Sequence, residues 1–209
     1  MAITNGYCSL AQIKAEMRIA TGDTVDDSRL ELAVAAASRQ IDAHTGRRFW
    51  QDGTVKVREY YPDDFLTCTV DDISTTVGLI VEVDDDDDGT YETPLTIGTH
   101  FVLLPINAAD DVPARPFTEI RIVDTDGATS FTPGNARPNV KVTAKFGWPA
   151  VPDDVTKACL IQASQLFKAS DAVFGAAQFG EAGVALRVQA RLNPMAEALL
   201  EAYSKPRVA

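Results

Sequence analysis

The sequence predicts an α+β fold: a helical bundle formed by the N- and C-terminal segments, with an inserted antiparallel β domain. Three observations lead there. Near both chain ends apolar residues recur every three or four positions, the period of a helix with one buried face. Between Thr54 and Phe146 the period drops to two, as in strands of a sheet with one wet face. Asp126-Gly127 and Pro133-Gly134 are turn signals between short apolar runs, which favours hairpin-like loops over the long crossovers of a parallel sheet. The expected boundaries are 1–53 for the N-terminal helices, 54–147 for the β domain and 148–209 for the C-terminal helices with a loop and a tail.

The first segment reads as two helices. Ser9 precedes LAQIKAEMRI, in which Leu10, Ile13 and Met17 keep helical spacing, and its hydroxyl is suited to accept an early backbone N–H. Thr21, Gly22 and Asp23 break the pattern. Asp26, Asp27 and Ser28 then place acceptors and negative charge at the start of a second helix whose apolar stripe is Leu30, Val34, Ala37 and Ile41. Gly46 follows the last turn as a C-cap.

Five runs in the middle of the chain read as strands: TVKVREYY, VGLIVEV, FVLLP, TEIRIV and NVKVTAKF, with TYETPL strand-like as well. In the last of the five, Val140, Val142, Ala144 and Phe146 alternate with Lys141, Thr143 and Lys145. Five to seven short strands are expected in all.

Helix returns after GWPAVPDD. Pro152, Asp153 and Asp154 suit a first turn, and Val155, Ala158, Cys159, Leu160, Ile161, Ala163, Leu166 and Phe167 cover too wide an arc for a single exposed surface. Next comes GAAQFGEAGVALRVQARLN, whose glycines at 175, 180 and 183 predict a loop able to adapt to a neighbour, or disorder in the free chain. Asn193-Pro194 opens a short final helix with Met195, Leu199, Leu200 and Tyr203 as its apolar positions.

Composition narrows the function classes. The chain has 209 residues, 45% hydrophobic and 23% charged, so it is globular in type. No apolar run approaches the roughly 18 residues of a membrane span, and MAITNGYCSL lacks the charged and apolar regions of a signal peptide; a soluble protein not exported by that route is expected. Cys8, Cys68 and Cys159 are odd in number and far apart, which argues for reduced, buried thiols. The net charge of −11 is unevenly placed. Residues 141–209 carry eight basic against six acidic side chains, leaving −13 for the rest. A protein that grips duplex DNA needs a basic face instead.

No constellation of catalytic type stands out. His44 and His100 have no motif around them, and there is no nucleophile elbow, paired-histidine zinc motif, Walker loop or dinucleotide fingerprint. The chain therefore reads as a non-enzyme without cofactor. Asp84, Asp86, Asp88 and Gly89 match the D-x-D-x-D-G core of a calcium loop, but the twelfth position, where a bidentate Glu belongs, is Leu95. A solvated hairpin tip is the plainer reading; a weak cation site is the other. Arg47 and Arg48, followed by Phe49 and Trp50, fit cations at a helix C-terminus and apolar plugs better than a nucleic-acid patch.

Four features together resemble the head-to-tail connector, or adaptor, proteins of long-tailed bacteriophages. SLAQIKAEMRI and DDSRLELAVAAASRQIDAHTGRRF are similar to that family's leading helix pair, which ends in a T-G-R signature, here Thr45, Gly46 and Arg47. GWPAVPDDV resembles the opening of its main helix, a glycine-bearing loop follows, and LLEAYSKPR is similar to its L-L-x-P-Y-R closure. Two departures are visible. The β insertion is much longer than the connection in the smallest members, and Glu201 and Ala202 stand before Tyr203 with Ser204 and Lys205 after it.

The resemblance implies a structural virion protein at the portal vertex, made in the bacterial host cytoplasm. It would form a dodecameric ring under the portal protein, extend the DNA channel and offer a platform to a stopper or tail-completion protein. DNA would pass without specific binding, and no membrane is involved. Leu199, Leu200, Tyr203, Lys205 and Arg207 are the expected portal contacts; Gly175, Phe179, Gly180, Gly183 and Arg187 are the expected subunit contacts. Deleting residues from Met195 onward is expected to abolish portal binding and leave the bundle folded. The alternatives are another neck or tail component such as a stopper, which should be mostly β, or a small cation-binding β module.

Overall fold

The computed structural model describes residues 3–123, 130–134, 136–171, 176–179, 184–187 and 191–205. The fold is mixed α+β, with four α-helices and a six-stranded antiparallel sheet among the described residues. It divides into two compact units, Met1–Phe49 with Val151–Ala209, and Trp50–Ala150.

In the helical unit, α1 (Leu10–Glu16) starts at a reciprocal cap. The Ser9 hydroxyl accepts the Gln12 N–H at 3.2 Å while the Gln12 side-chain oxygen accepts the Ser9 N–H at 2.7 Å. The helix ends before Met17, and Arg18 takes a left-handed φ of 58°. Lys14 is buried and pairs with Asp27, and it also donates to the Asp23 carbonyl at 2.7 Å.

Helix α2 (Asp27–Thr45) buries Leu30, Val34, Ala37 and Ile41, the stripe expected of it. It stops at Gly46, whose φ of 66° suits a residue without Cβ and whose N–H donates to the Asp42 carbonyl at 2.8 Å. Helix α3 (Asp153–Asp171) packs on α2 and buries Val155, Ala158, Cys159, Leu160, Ala163 and Phe167. The three cysteines are free and buried. Helix α4 (Pro194–Leu200) packs on α3 and continues into a 3-10 turn over Glu201–Tyr203.

The β unit holds β1 (Lys56–Tyr60), β2 (Thr67–Val83), β3 (Thr93–Leu95), β4 (Phe101–Leu104), β5 (Phe117–Ile122) and β6 (Val140–Phe146). Their order is β1-β6-β2-β5-β4, with β3 on β2, and every pairing is antiparallel. Along β6, Val140, Val142, Ala144 and Phe146 are buried and the residues between them are not. They join Cys68, Val70, Ile73, Val81 and Val83 of β2, Phe101 and Leu103 of β4, and Ile120 and Ile122 of β5 in one core.

Strand β2 is far longer than the VGLIVEV run suggested. Its first half carries Asp71, Asp72 and Ser74, polar residues that interrupt the alternation, and the register shifts between Thr69 and Ile73. Partners distant in sequence keep these groups satisfied. The Asp72 carbonyl accepts the Gly147 N–H at 2.7 Å and its carboxylate accepts the Trp148 indole N–H at 3.2 Å. The Ser74 hydroxyl donates to the Lys145 carbonyl at 2.7 Å, and Asp71 pairs with Arg58.

Within the glycine-bearing stretch, two described segments form strands where a loop or disorder is expected. Ala176–Phe179 (β7) and Val184–Arg187 (β8) form an antiparallel pair, with Ala176 opposite Arg187 and Phe179 opposite Val184. Each strand is four residues without glycine or proline; the glycines that coloured the composition stand at 175, 180 and 183, outside both strands.

Candidate docking surface on the helical unit

The surface begins with how α4 is held. Asn193 caps it, accepting the Met195 N–H at 2.9 Å, and Pro194 occupies the first turn. The Asn193 backbone N–H donates to the buried Gln162 side chain at 2.8 Å, and its amide nitrogen donates to Gln165 at 2.8 Å. Gln162 in turn donates to Gln40 at 2.7 Å, so a chain of amides links α2, α3 and the start of α4.

Along α4 the expected contact residues separate. Ala196 and Leu200 are fully buried, Leu199 is half-buried and Met195 is 69% exposed. Leu200 is therefore a core residue of the bundle in this chain. A truncation from Met195 would also remove two core side chains, Ala196 and Leu200, and is therefore expected to weaken the bundle as well as any contact made by the tail.

Beyond α4 the chain is tied down. The Tyr203 hydroxyl donates to Asp154 at 3.2 Å, its ring meets the ring of Phe49, and the Lys205 N–H donates to the Thr45 carbonyl at 2.9 Å. Burial, then the hydrogen bond to Asp154 and its charge, push the Tyr203 hydroxyl above the ordinary tyrosine range. Thr45 and Gly46 belong to the T-G-R signature and Tyr203 to the closing motif, so two segments about 155 positions apart meet on one side of the helical unit. Arg207 lies outside the described residues.

Of the expected subunit contacts, Phe179 and Arg187 stand at the two ends of the β7–β8 ladder, one closing it beside residue 180 and the other opposite Ala176. Gly175, Gly180 and Gly183 lie outside the described residues. In the β unit, Asp84, Asp86 and Asp88 each bring a carboxylate oxygen within 4.8 Å of the others. His100 accepts the Thr96 N–H at 3.0 Å, a local turn contact. No described helix is long and apolar enough to cross a membrane.

Sequence reading missed the amide chain. Gln40, Gln162 and Gln165 are unremarkable polar residues until the helices bring them together.

These features define an α+β protein whose helical unit is built from both chain ends and whose antiparallel sheet unit is inserted between them in sequence. That fold is shared over the full chain with proteins of known structure. A chain from the neck of an empty GTA particle, computed with C6 symmetry, matches with a TM-score of 0.56 at 20% identity, covering 100% of this chain and 95% of that one. A chain from the virion of a native gene transfer agent (GTA) particle matches with a TM-score of 0.51 at 21% identity, again over 100% of this chain and 95% of its own. No protein-family model and no curated protein sequence matches the chain.

Proposed function

We infer that this chain is a structural neck protein of a phage-like particle, and within the neck a head-to-tail adaptor. The observation that carries the reading is the likeness in fold to a neck chain, over 100% of this chain and 95% of that one. Coverage matters here, because a likeness confined to the β unit or to the helices would fit many functions.

In this reading the protein forms a ring, dodecameric in the family it resembles, beneath the portal protein at the capsid vertex, and the stopper or a tail-completion protein binds its other side. A closed ring needs two different complementary faces on each subunit. The β7–β8 hairpin supplies one, with Gly175, Phe179, Gly180, Gly183 and Arg187 as its contact segment. The end of the chain supplies the portal contact through Leu199, Tyr203, Lys205 and Arg207, with Leu200 holding α4 in place from behind. The excess of acidic side chains in residues 1–140 suits a channel through which DNA slides without specific binding. The role is one of assembly and not of catalysis.

The test is to mix the purified chain with its portal assembly and image the product by cryo-electron microscopy. The expected product is an added ring below the portal with the C-terminal segments touching it. Failure of two folded proteins to associate would overturn the adaptor role and leave another neck component as the reading.

A further inference from the structure

We propose that Asp84, Asp86 and Asp88 form a calcium site at the tip of the β2–β3 hairpin. This goes beyond the neck reading and does not depend on it. The tip is the segment 84–92, between Val83, which pairs with Thr93, and the pairing partners of β3. One carboxylate oxygen from each of the three residues lies within 4.8 Å of the other two.

An acidic cluster on a hairpin tip is common on its own, and two of these side chains are exposed. Asp84 is different. It is fully buried, its backbone N–H is fixed to the Asn139 carbonyl at 3.0 Å, and one carboxylate oxygen accepts the Gly89 N–H at 2.8 Å. Its other oxygen, Oδ1, is buried and has no hydrogen-bond partner. A buried carboxylate oxygen left unsatisfied is costly, and such groups pair or coordinate metals. Among the described residues none of the three carboxylates forms a direct ion pair with a Lys or Arg, so no protein cation sits among the three converging oxygens. Arg137 reaches the tip, but donates to the Asp88 backbone carbonyl at 2.8 Å.

The donor set selects the ion. It consists of hard carboxylate oxygens without histidine or thiolate, which disfavours zinc and copper, and a loop of exposed, adjustable carboxylates suits calcium better than the strict octahedron of magnesium. Backbone hydrogen bonds hold the ligands apart from solvent disorder: Asp86 accepts the Asp88 N–H at 3.3 Å and Asp88 the Thr90 N–H at 2.6 Å. The residue in the place of the bidentate Glu is Leu95, buried in β3. The affinity therefore falls in the weak range of about 10⁻⁴ to 10⁻³ M.

The experiment uses the whole chain, freed of metal with a chelator and returned to calcium, magnesium or potassium chloride at equal ionic strength. Calcium binding is measured by calorimetry and unfolding by a thermal scan. One calcium per chain is expected, with a melting temperature that climbs with the logarithm of calcium concentration above the dissociation constant. Asp84→Asn should remove that response and raise the melting temperature of the calcium-free protein. The double variant Asp86→Asn with Asp88→Asn, at exposed positions, should remove binding while leaving the circular dichroism spectrum unchanged. No binding at roughly 10 mM calcium, ten times the weakest affinity expected, would overturn the proposal. So would an equal response to magnesium or potassium chloride, or binding that survives the double variant.

Discussion

The ring of Tyr203 stands edge-on to the ring of Phe49, with centroids 5.7 Å apart and planes at 85°. Phe49 is fully buried and makes a second edge contact, to Tyr7 at 5.6 Å, so one ring joins the first and last segments of the helical unit. This places the end of the chain by packing as well as by the bond from Lys205 to Thr45. Tyr203→Ala should cost about 1–2 kcal/mol, since an aromatic pair contributes beyond its area. Tyr203→Phe should retain most of that and lose the bond to Asp154. Urea unfolding of both variants separates the two contributions.

Leu200 and Met195 lie on the same short helix and should respond very differently. Leu200→Ala empties a fully buried position and should cost about 2–5 kcal/mol. Met195→Ala, at an exposed position, should change stability by no more than about 0.5 kcal/mol. Equal effects would show that α4 is not packed as described.

Tyr7 makes the helical unit sensitive to alkali. Its hydroxyl donates to Asp42 and accepts the Phe49 N–H at 3.0 Å. Burial first, then the hydrogen bond to Asp42, raise it far above the ordinary value, outweighing the Phe49 N–H, which lowers it. The folded chain thus keeps a proton that the unfolded chain releases near pH 10. Its contribution is complete below about pH 10 and is lost as pH rises past that value. Denaturant midpoints measured from about pH 8 to 11 should fall at the alkaline end, and Tyr7→Phe should flatten that fall.

Gly147 is the first residue of the motif that opens α3, and it cannot carry a side chain. Its φ is 105°, and a Cβ there would lie 1.9 Å from the Trp50 carbonyl oxygen. Gly147→Ala should destabilise the β unit by at least about 2 kcal/mol, visible as a lowered melting temperature or loss of soluble protein.

Reversing the tail charges tests the proposed portal contact without removing core residues. Lys205→Glu with Arg207→Glu should abolish association with the portal assembly in a pull-down. Circular dichroism and the melting temperature of the double variant, measured alongside, should show the fold retained. Association at the level of the unaltered chain would remove these two residues from the contact.

Local chemistry made much of the fold readable. The Ser9 cap, the α2 stripe from Leu30 to Ile41, the Gly46 stop and the alternation of β6 are each set by residues close in sequence, and each stands where the pattern put it. The first half of β2 was not readable, because Asp71, Asp72 and Ser74 look like a loop until Arg58, Trp148 and Lys145 supply their partners. The β7–β8 hairpin was hidden by the glycines beside it.

Among the candidate site residues, the sequence by itself marked Thr45, Gly46 and Tyr203 as members of two motifs, and marked Asp84, Asp86 and Asp88 by their spacing. Only the tertiary structure decided what each does locally. It brought Tyr203 to Phe49, turned Leu200 inward while leaving Met195 outside, and buried Asp84 with an unpartnered oxygen while leaving Asp86 and Asp88 in water. Periodicity assigns a residue to one face of an element, but which face is covered depends on neighbours far along the chain, and burial is what turns an ordinary polar or apolar side chain into a consequential one.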